Sequence, residues 1–177
     1  RRRGKQMTVE LLGRMMGRRA DEAFQVMIDT CGLSDSIAPL RAESQEIFDS
    51  LLDEILAPMP GLFELLEYIE SQGLPKAVAT SSTRAFLELL LKKFDLLARF
   101  NPTLTAEDVT HGKPHPEIYL TAAERIGLAP EKLLMLEDSE MGTRAAAAAG
   151  AIVVSIPHVY SQTHDFSVAT HIARSLH

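Results

Sequence analysis

The sequence predicts an α/β fold, a doubly wound Rossmann-type parallel sheet with helices on both faces, preceded by an α-helical cap. Apolar residues recur at helical spacing through residues 7–57, where no strand pattern occurs. From residue 58 onwards, short apolar runs alternate with helical segments, as in right-handed βαβ units. The run at 133–136 is apolar throughout, which is typical of a parallel strand buried on both faces. We therefore assign residues 1–57 to the cap and residues 58–177 to the core.

The cap is predicted to contain three helices. The first apolar stripe begins with Met7, Leu11 and Met15. The second and third apolar stripes lie at residues 23–28 and 47–56. Glycine and proline punctuate this pattern, because Gly32 follows the second stripe and Pro58 follows the third.

The core elements follow in alternation. We predict helices at 62–71, 83–94, 116–126 and 140–149, and strands at 77–79, 100–104, 133–136 and 152–156.

Composition excludes several classes of protein. The chain has 177 residues, of which 46% are hydrophobic, yet no stretch approaches the ~18 apolar residues of a membrane span, so we expect no membrane partner. Cys31 is the only cysteine, which excludes an internal disulfide and favours a reducing, cytoplasmic location. The sequence carries no signal for an oligomeric state.

The basic residues are concentrated at the start of the chain. Residues 1–19 hold seven Arg or Lys and one acid, whereas the whole chain has a net charge of −6. Since no aromatic residue interleaves the basic ones, we predict no nucleic-acid partner. A solvated helix face and attraction of an anionic substrate both stay open as explanations.

The first polar cluster is Thr80-Ser81-Ser82, directly after the predicted strand 77–79. A hydroxyl and the backbone N–H groups at a helix start suit a phosphate oxygen. The alternative is that Ser81 or Ser82 caps the following helix.

The second cluster is Gly112-Lys113-Pro114-His115-Pro116. A lysine between glycine and proline is held in a turn, where its ammonium can neutralise a phosphoryl oxygen or pair with a carboxylate. The alternative is a solvated loop lysine. We assign no role to His111 and His115, which flank it.

The third cluster is Glu137-Asp138, which follows the apolar run 133–136. Ligands bind at the carboxyl ends of strands in open α/β sheets. Adjacent carboxylates repel each other unless a cation lies between them or one is protonated, so the pair predicts a site for a hard divalent ion such as Mg²⁺. The alternative is that Asp138 or Ser139 caps the helix 140–149, which would explain one acid but not Glu137.

With these motifs in order, the chain resembles the haloacid dehalogenase superfamily of phosphohydrolases, in the β-phosphoglucomutase-like branch with a small helical cap. Residues 78–82 match the family's second motif, 113–116 the third and 136–139 the fourth, together with Gly142. The resemblance covers essentially the whole chain.

The resemblance implies a role for each matched residue. Thr80 and the Ser81 N–H bind the transferring phosphoryl group, Lys113 stabilises its charge, and Glu137 and Asp138 hold Mg²⁺. The implied reaction is hydrolysis of a small phosphorylated metabolite, such as a sugar phosphate, through an aspartyl-phosphate.

The family's first motif, Asp-x-Asp-Gly-Thr after an N-terminal strand, is absent from this sequence. In the family it supplies the nucleophile and the general acid/base; Asp21, Asp29 and Asp35 fall in the predicted cap instead. We expect about 20 to 30 further residues upstream, the length of a strand and a linker. Without them, we expect open strand edges beside 77–79 and 133–136, and an inactive chain. A non-catalytic relative that binds phosphorylated ligands is the alternative.

Within the family, the acidic pair favours phosphate chemistry over dehalogenation. Lys5 is the only cap lysine and lies near the chain start, which argues against a Schiff-base phosphonoacetaldehyde hydrolase. Arg18 and Arg19 are candidates for reading a substrate anion. Ala20 stands where a phosphomutase is expected to carry arginine, so mutase activity is the less favoured alternative.

Overall fold

The structure is a computed structural model that describes residues 3–177, apart from the side chains of Asp53 and Ile55. Arg1 and Arg2, which belong to the basic start, lie outside the described residues. The helices are α1 (Val9–Met15), α2 (Ala20–Cys31), α3 (Ile37–Ile55), α4 (Leu62–Ser71), α5 (Arg84–Lys93), α6 (Glu117–Ile126) and α7 (Glu140–Ala148). The strands are β1 (Val78–Ala79), β2 (Thr103–Leu104), β3 (Leu134–Glu137), β4 (Ile152–Ser155) and β5 (His171–Ile172). The predicted α/β class with an α-helical cap segment is confirmed.

Hydroxyl side chains fix where three of the helices begin. Thr8, Thr83 and Ser139 each accept a hydrogen bond from the backbone N–H three residues later, at α1, α5 and α7. Such caps satisfy N–H groups that have no partner within the helix. The cap of α5 is therefore Thr83, and the alternative that Ser81 or Ser82 caps it is wrong.

All strand pairs are parallel, but they form two separate pieces. One is β1–β2, and the other has the order β3–β4–β5. Within residues 3–177, no strand lies between β1 and β3. The open edges expected beside these two strands are therefore present.

Helices cover the two pieces unequally. Residues of α6 and α7 share a buried cluster with both β2 and β4, while α4 and α5 cover the opposite face of β1. The opposite face of β3 is open, with Leu134 59% exposed. The prediction that this strand is buried on both faces is wrong, because no helix among the described residues packs against that face.

None of the helices in the described part of the chain is both long and apolar enough to cross a membrane.

Candidate active site

The three predicted clusters meet where β1 and β3 end. Thr80 follows β1 directly, and Glu137 is the last residue of β3. Lys113 lies between them: its Nζ donates to Glu137 Oε1 at 2.5 Å and to the Ala79 carbonyl oxygen at 3.3 Å. Because the Lys113 side chain is only 7% exposed, it is a buried bridge between the two pieces of sheet rather than a solvated loop lysine.

The Glu137 carboxylate is fixed from several sides. Besides Lys113, the Tyr119 hydroxyl donates to Oε1, while Ser139 Oγ and the Asp138 N–H donate to Oε2, each at 3.3 Å. Gly142 leaves the space that this carboxylate occupies, since a Cβ there would overlap it. A buried charge with this many donors is held in one orientation.

Tyr119 is a site residue that the sequence motifs do not reveal. Burial and the nearby charge of Glu137 raise the pKa of Tyr119 well above its ordinary value. The phenol therefore keeps its proton and acts as a hydrogen-bond donor. Its signal in the sequence is weak: a tyrosine in a buried helix stripe needs a partner for its hydroxyl.

Asp138 lies beside Glu137 with its side chain 51% exposed. Partial burial and the charge of Glu137 raise the pKa of Asp138, while the charges of His158 and Lys113 lower it. After Tyr119, His158 is the second site residue that the sequence motifs do not reveal. Its Nε2 lies 3.4 Å from Asp138 Oδ2. A cation at Asp138 would offset the repulsion that raises this pKa.

These residues fit a hard divalent cation. Glu137 and Asp138 offer carboxylate oxygens, the donors that Mg²⁺ prefers, and the Asp138 side chain is half exposed beside the buried Glu137.

The turn after β1 faces the cap. Thr80 Oγ1 accepts a hydrogen bond from the Ser82 N–H at 3.1 Å, and Ser81 Oγ donates to the Gly17 carbonyl oxygen at 2.8 Å. A Cβ on Gly17 would lie 2.5 Å from Ser139 Oγ. The cap loop therefore sits directly over the ends of β1 and β3.

The two candidate arginines of this loop have different partners. Arg18 Nε donates to the Arg14 carbonyl oxygen at 2.9 Å, within the cap. Arg19 Nη2 donates to the carbonyl oxygens of Ala106 and Val109, at 3.1 and 2.6 Å. Arg19 thus joins the cap to the core loop that leads into Lys113, and a role of either arginine in reading a substrate stays a prediction.

Asp108 organises that core loop. Its carboxylate accepts hydrogen bonds from the Thr105 N–H and hydroxyl and from Arg84 and Arg125. Burial raises the pKa of Asp108, but these hydrogen bonds and the charge of Arg84 outweigh burial and hold it at about 2. The carboxylate is therefore charged at neutral pH and ties the loop to α5 and α6.

The cap aspartates lie away from this site and have partners in the cap. Asp21 pairs with Arg41, Asp35 with Arg3, and Asp29 accepts a hydrogen bond from Gln25.

The fold has a helical cap over a parallel sheet, with Thr80 and a carboxylate pair at the strand ends and Lys113 between them. These features define the class of capped α/β hydrolases. Residues 1–156 match the family described as haloacid dehalogenase-like hydrolase. The chain belongs to this family.

Two relatives extend the comparison. The chain is 32% identical over 164 residues to a phosphorylated carbohydrates phosphatase of Thermotoga maritima, covering 93% of this chain and 74% of the relative. It is 36% identical over 143 residues to protein CbbY of Rhodobacter capsulatus, covering 78% of this chain and 63% of the relative. The chain therefore spans only part of the length of each.

Solved structures show the same fold. A putative β-phosphoglucomutase from Thermotoga maritima matches with a TM-score of 0.74 and 29% identity, covering 98% of this chain and 82% of that one. CbbY from Rhodobacter sphaeroides, solved in complex with phosphate, matches with a TM-score of 0.81 and 27% identity, covering 95% and 76%.

Proposed function

We propose that this chain forms most of a Mg²⁺-dependent phosphatase, a phosphoric monoester hydrolase, that acts on a small phosphorylated metabolite such as a sugar phosphate. The observation that carries the proposal is the buried Lys113–Glu137 pair, 2.5 Å apart, at the ends of β1 and β3. It holds a fixed ammonium beside the Thr80 turn and a fixed carboxylate beside Asp138.

Each residue has a distinct task in this proposal. The Thr80 hydroxyl and the Ser81 N–H bind oxygens of the phosphoryl group, and the Lys113 ammonium offsets charge that develops on them. Glu137 and Asp138 would hold Mg²⁺, which supplies further charge neutralisation when bound. The cap loop at Gly17, hydrogen-bonded to Ser81, covers the site against water.

The nucleophile is the part that residues 1–177 do not supply. We infer that a strand from outside this range fills the gap between β1 and β3 and carries the family's aspartates. The two open edges support this, because among the described residues β1 pairs only with β2 and β3 pairs only with β4. The chain of residues 1–177 alone is then expected to be inactive as a hydrolase.

The names of the relatives support a phosphorylated sugar as the substrate class. One relative is a phosphorylated carbohydrates phosphatase, and a CbbY structure contains a bound sugar bisphosphate, xylulose-(1,5)bisphosphate. Phosphomutase activity is the less favoured alternative, because Ala20 stands where an arginine is expected. A cytoplasmic location and the absence of a nucleic-acid partner stay predictions from composition.

The test uses a protein in which a strand carrying Asp-x-Asp-Gly-Thr precedes residue 1, assayed for phosphate release from a panel of phosphorylated sugars. Asp138→Ala should lower Mg²⁺-dependent turnover at least about a hundredfold, since a catalytic metal contributes several kcal/mol. Glu131→Ala, an exposed acid outside the site, is the control. Unchanged turnover of Asp138→Ala would contradict the metal assignment, and turnover by residues 1–177 alone would contradict the assignment of the nucleophile.

A further inference from the structure

A second group of metal-ligand side chains lies outside the carboxylate pair, on the loop that carries Lys113. His111, His115 and Glu117 each offer one ligand atom, and these atoms lie within 4.8 Å of one another. The Nδ1 atoms of the two histidines lie 2.9 and 3.9 Å from Glu117 Oε2. Ligand atoms of two imidazoles and a carboxylate therefore lie close together, and the Glu117 N–H also donates to His115 Nδ1 at 3.3 Å.

The carboxylate of this group is fixed and charged. Glu117 accepts hydrogen bonds from the Thr110 N–H at 2.7 Å and from the His111 N–H at 2.8 Å. These two bonds, with that from the His111 ring, lower the pKa of Glu117 to about 2 against a smaller opposing effect of burial. A carboxylate has lone pairs to spare after two such bonds, so it can still coordinate a cation.

The imidazoles are accessible and mutually oriented. The side chains of His111 and His115 are 63% and 50% exposed, and their ring centroids lie 4.6 Å apart. They border a cleft of about 590 Å³ between the loop and the start of α2, with Arg19 and Glu22 of the cap on its other side. Arg19 donates to backbone carbonyl oxygens, and Glu22 adds a further negative charge to the cleft.

We propose that His111, His115 and Glu117 form a second cation site, selective for a transition-metal ion of the Zn²⁺ type and separate from the Mg²⁺ site. Two nitrogen donors and one carboxylate are a frequent ligand set for Zn²⁺, with the remaining positions left to water. Imidazole also favours Cu²⁺ and Ni²⁺, whereas Mg²⁺ prefers oxygen ligands alone.

The site has a structural consequence for Lys113. The two histidines lie two residues before and two residues after it in the chain. An ion held by both closes this segment into a ring, which fixes the backbone from which the lysine reaches Glu137.

The test measures Zn²⁺ binding to the 177-residue chain by titration calorimetry, in the Asp138→Asn background to weaken the carboxylate-pair site. His111→Ala and His115→Ala should each lower the affinity for Zn²⁺ at least about tenfold, the scale on which metal sites respond to loss of supporting groups. His171→Ala, which removes an exposed histidine of β5, should leave the affinity unchanged. Titration with Co²⁺ should give an absorption spectrum of nitrogen ligation that both loop variants lose.

Competition separates this site from the proposed active site. Millimolar Mg²⁺ should leave Zn²⁺ bound, because the ligand set is two-thirds nitrogen. The proposal is overturned if Zn²⁺ does not bind, if both histidine variants bind it as the parent does, or if Mg²⁺ displaces it. None of these results bears on phosphatase activity at the Glu137–Asp138 site. The proposed Zn²⁺ site and the proposed phosphatase function can therefore fail independently.

Discussion

The buried ion pair between Lys113 and Glu137 gives the sharpest test of the site. Replacing Lys113 by methionine keeps the length and apolar stem of the side chain but removes the ammonium. Glu137, whose side chain is 6% exposed, would then be a buried charge without its cation. Tyr119 and Ser139 still donate hydrogen bonds to it, but they carry no charge.

The expected loss follows from the geometry. Two unit charges 4 Å apart attract by about 4 kcal/mol at an effective dielectric constant of 20. Breaking a buried pair by removal of one partner costs about 3–5 kcal/mol, because the remaining charge is uncompensated. With a urea slope of about 2 kcal/mol per molar, the unfolding midpoint should fall by roughly 2 M.

The assay is urea unfolding of the 177-residue chain at neutral pH. It compares the single variants Lys113→Met and Glu137→Gln with the double variant Lys113→Met/Glu137→Gln. Since glutamine keeps the shape of Glu137 without its charge, the double variant should recover about 2 kcal/mol relative to the sum of the single losses. Lys132→Met, at an exposed lysine, is the control and should change stability by no more than about 0.5 kcal/mol. A loss below about 1 kcal/mol for Lys113→Met, or strict additivity in the double variant, would refute the argument.

Two further variants test the supports of the site. Gly142→Ala places a methyl group against the Glu137 carboxylate and should lower the free energy of unfolding by about 1–3 kcal/mol, as overpacking does. Denaturant unfolding should show a smaller loss of stability in a Glu137→Ala background. An equal loss in both backgrounds would argue against this contact. Asp108→Asn tests the loop before Lys113: the pKa of Asp108 is about 2 when folded against 3.8 otherwise, so its stabilisation is present above pH 3.8 and is lost as the pH falls towards 2. At neutral pH, the variant should therefore lose about 2 kcal/mol, and equal stabilities of variant and parent at pH 7 would contradict the assignment.

The sequence by itself determined the fold class and the order of the clusters. Alternating strand and helix patterns require a parallel sheet, and parallel strands bring their carboxyl ends to one edge. For that reason the order of residues along the chain is enough to predict that Thr80 and Glu137 lie at the same edge of the sheet. The start of α7 follows from equally local chemistry, since the Ser139 hydroxyl, one of two caps considered from the sequence, accepts from the Gly142 N–H of its own chain segment.

The tertiary structure alone decided the partners of these residues, because partners distant in sequence carry no local signal. It placed Lys113 on Glu137 rather than in solvent, added Tyr119 to the same carboxylate and Gly142 beneath it, and left one face of β3 open. It also joined Arg19 to the carbonyl oxygens of Ala106 and Val109, 87 and 90 residues away. A pattern in the sequence reports which face of an element is apolar, whereas only packing decides what covers that face and which buried charges meet.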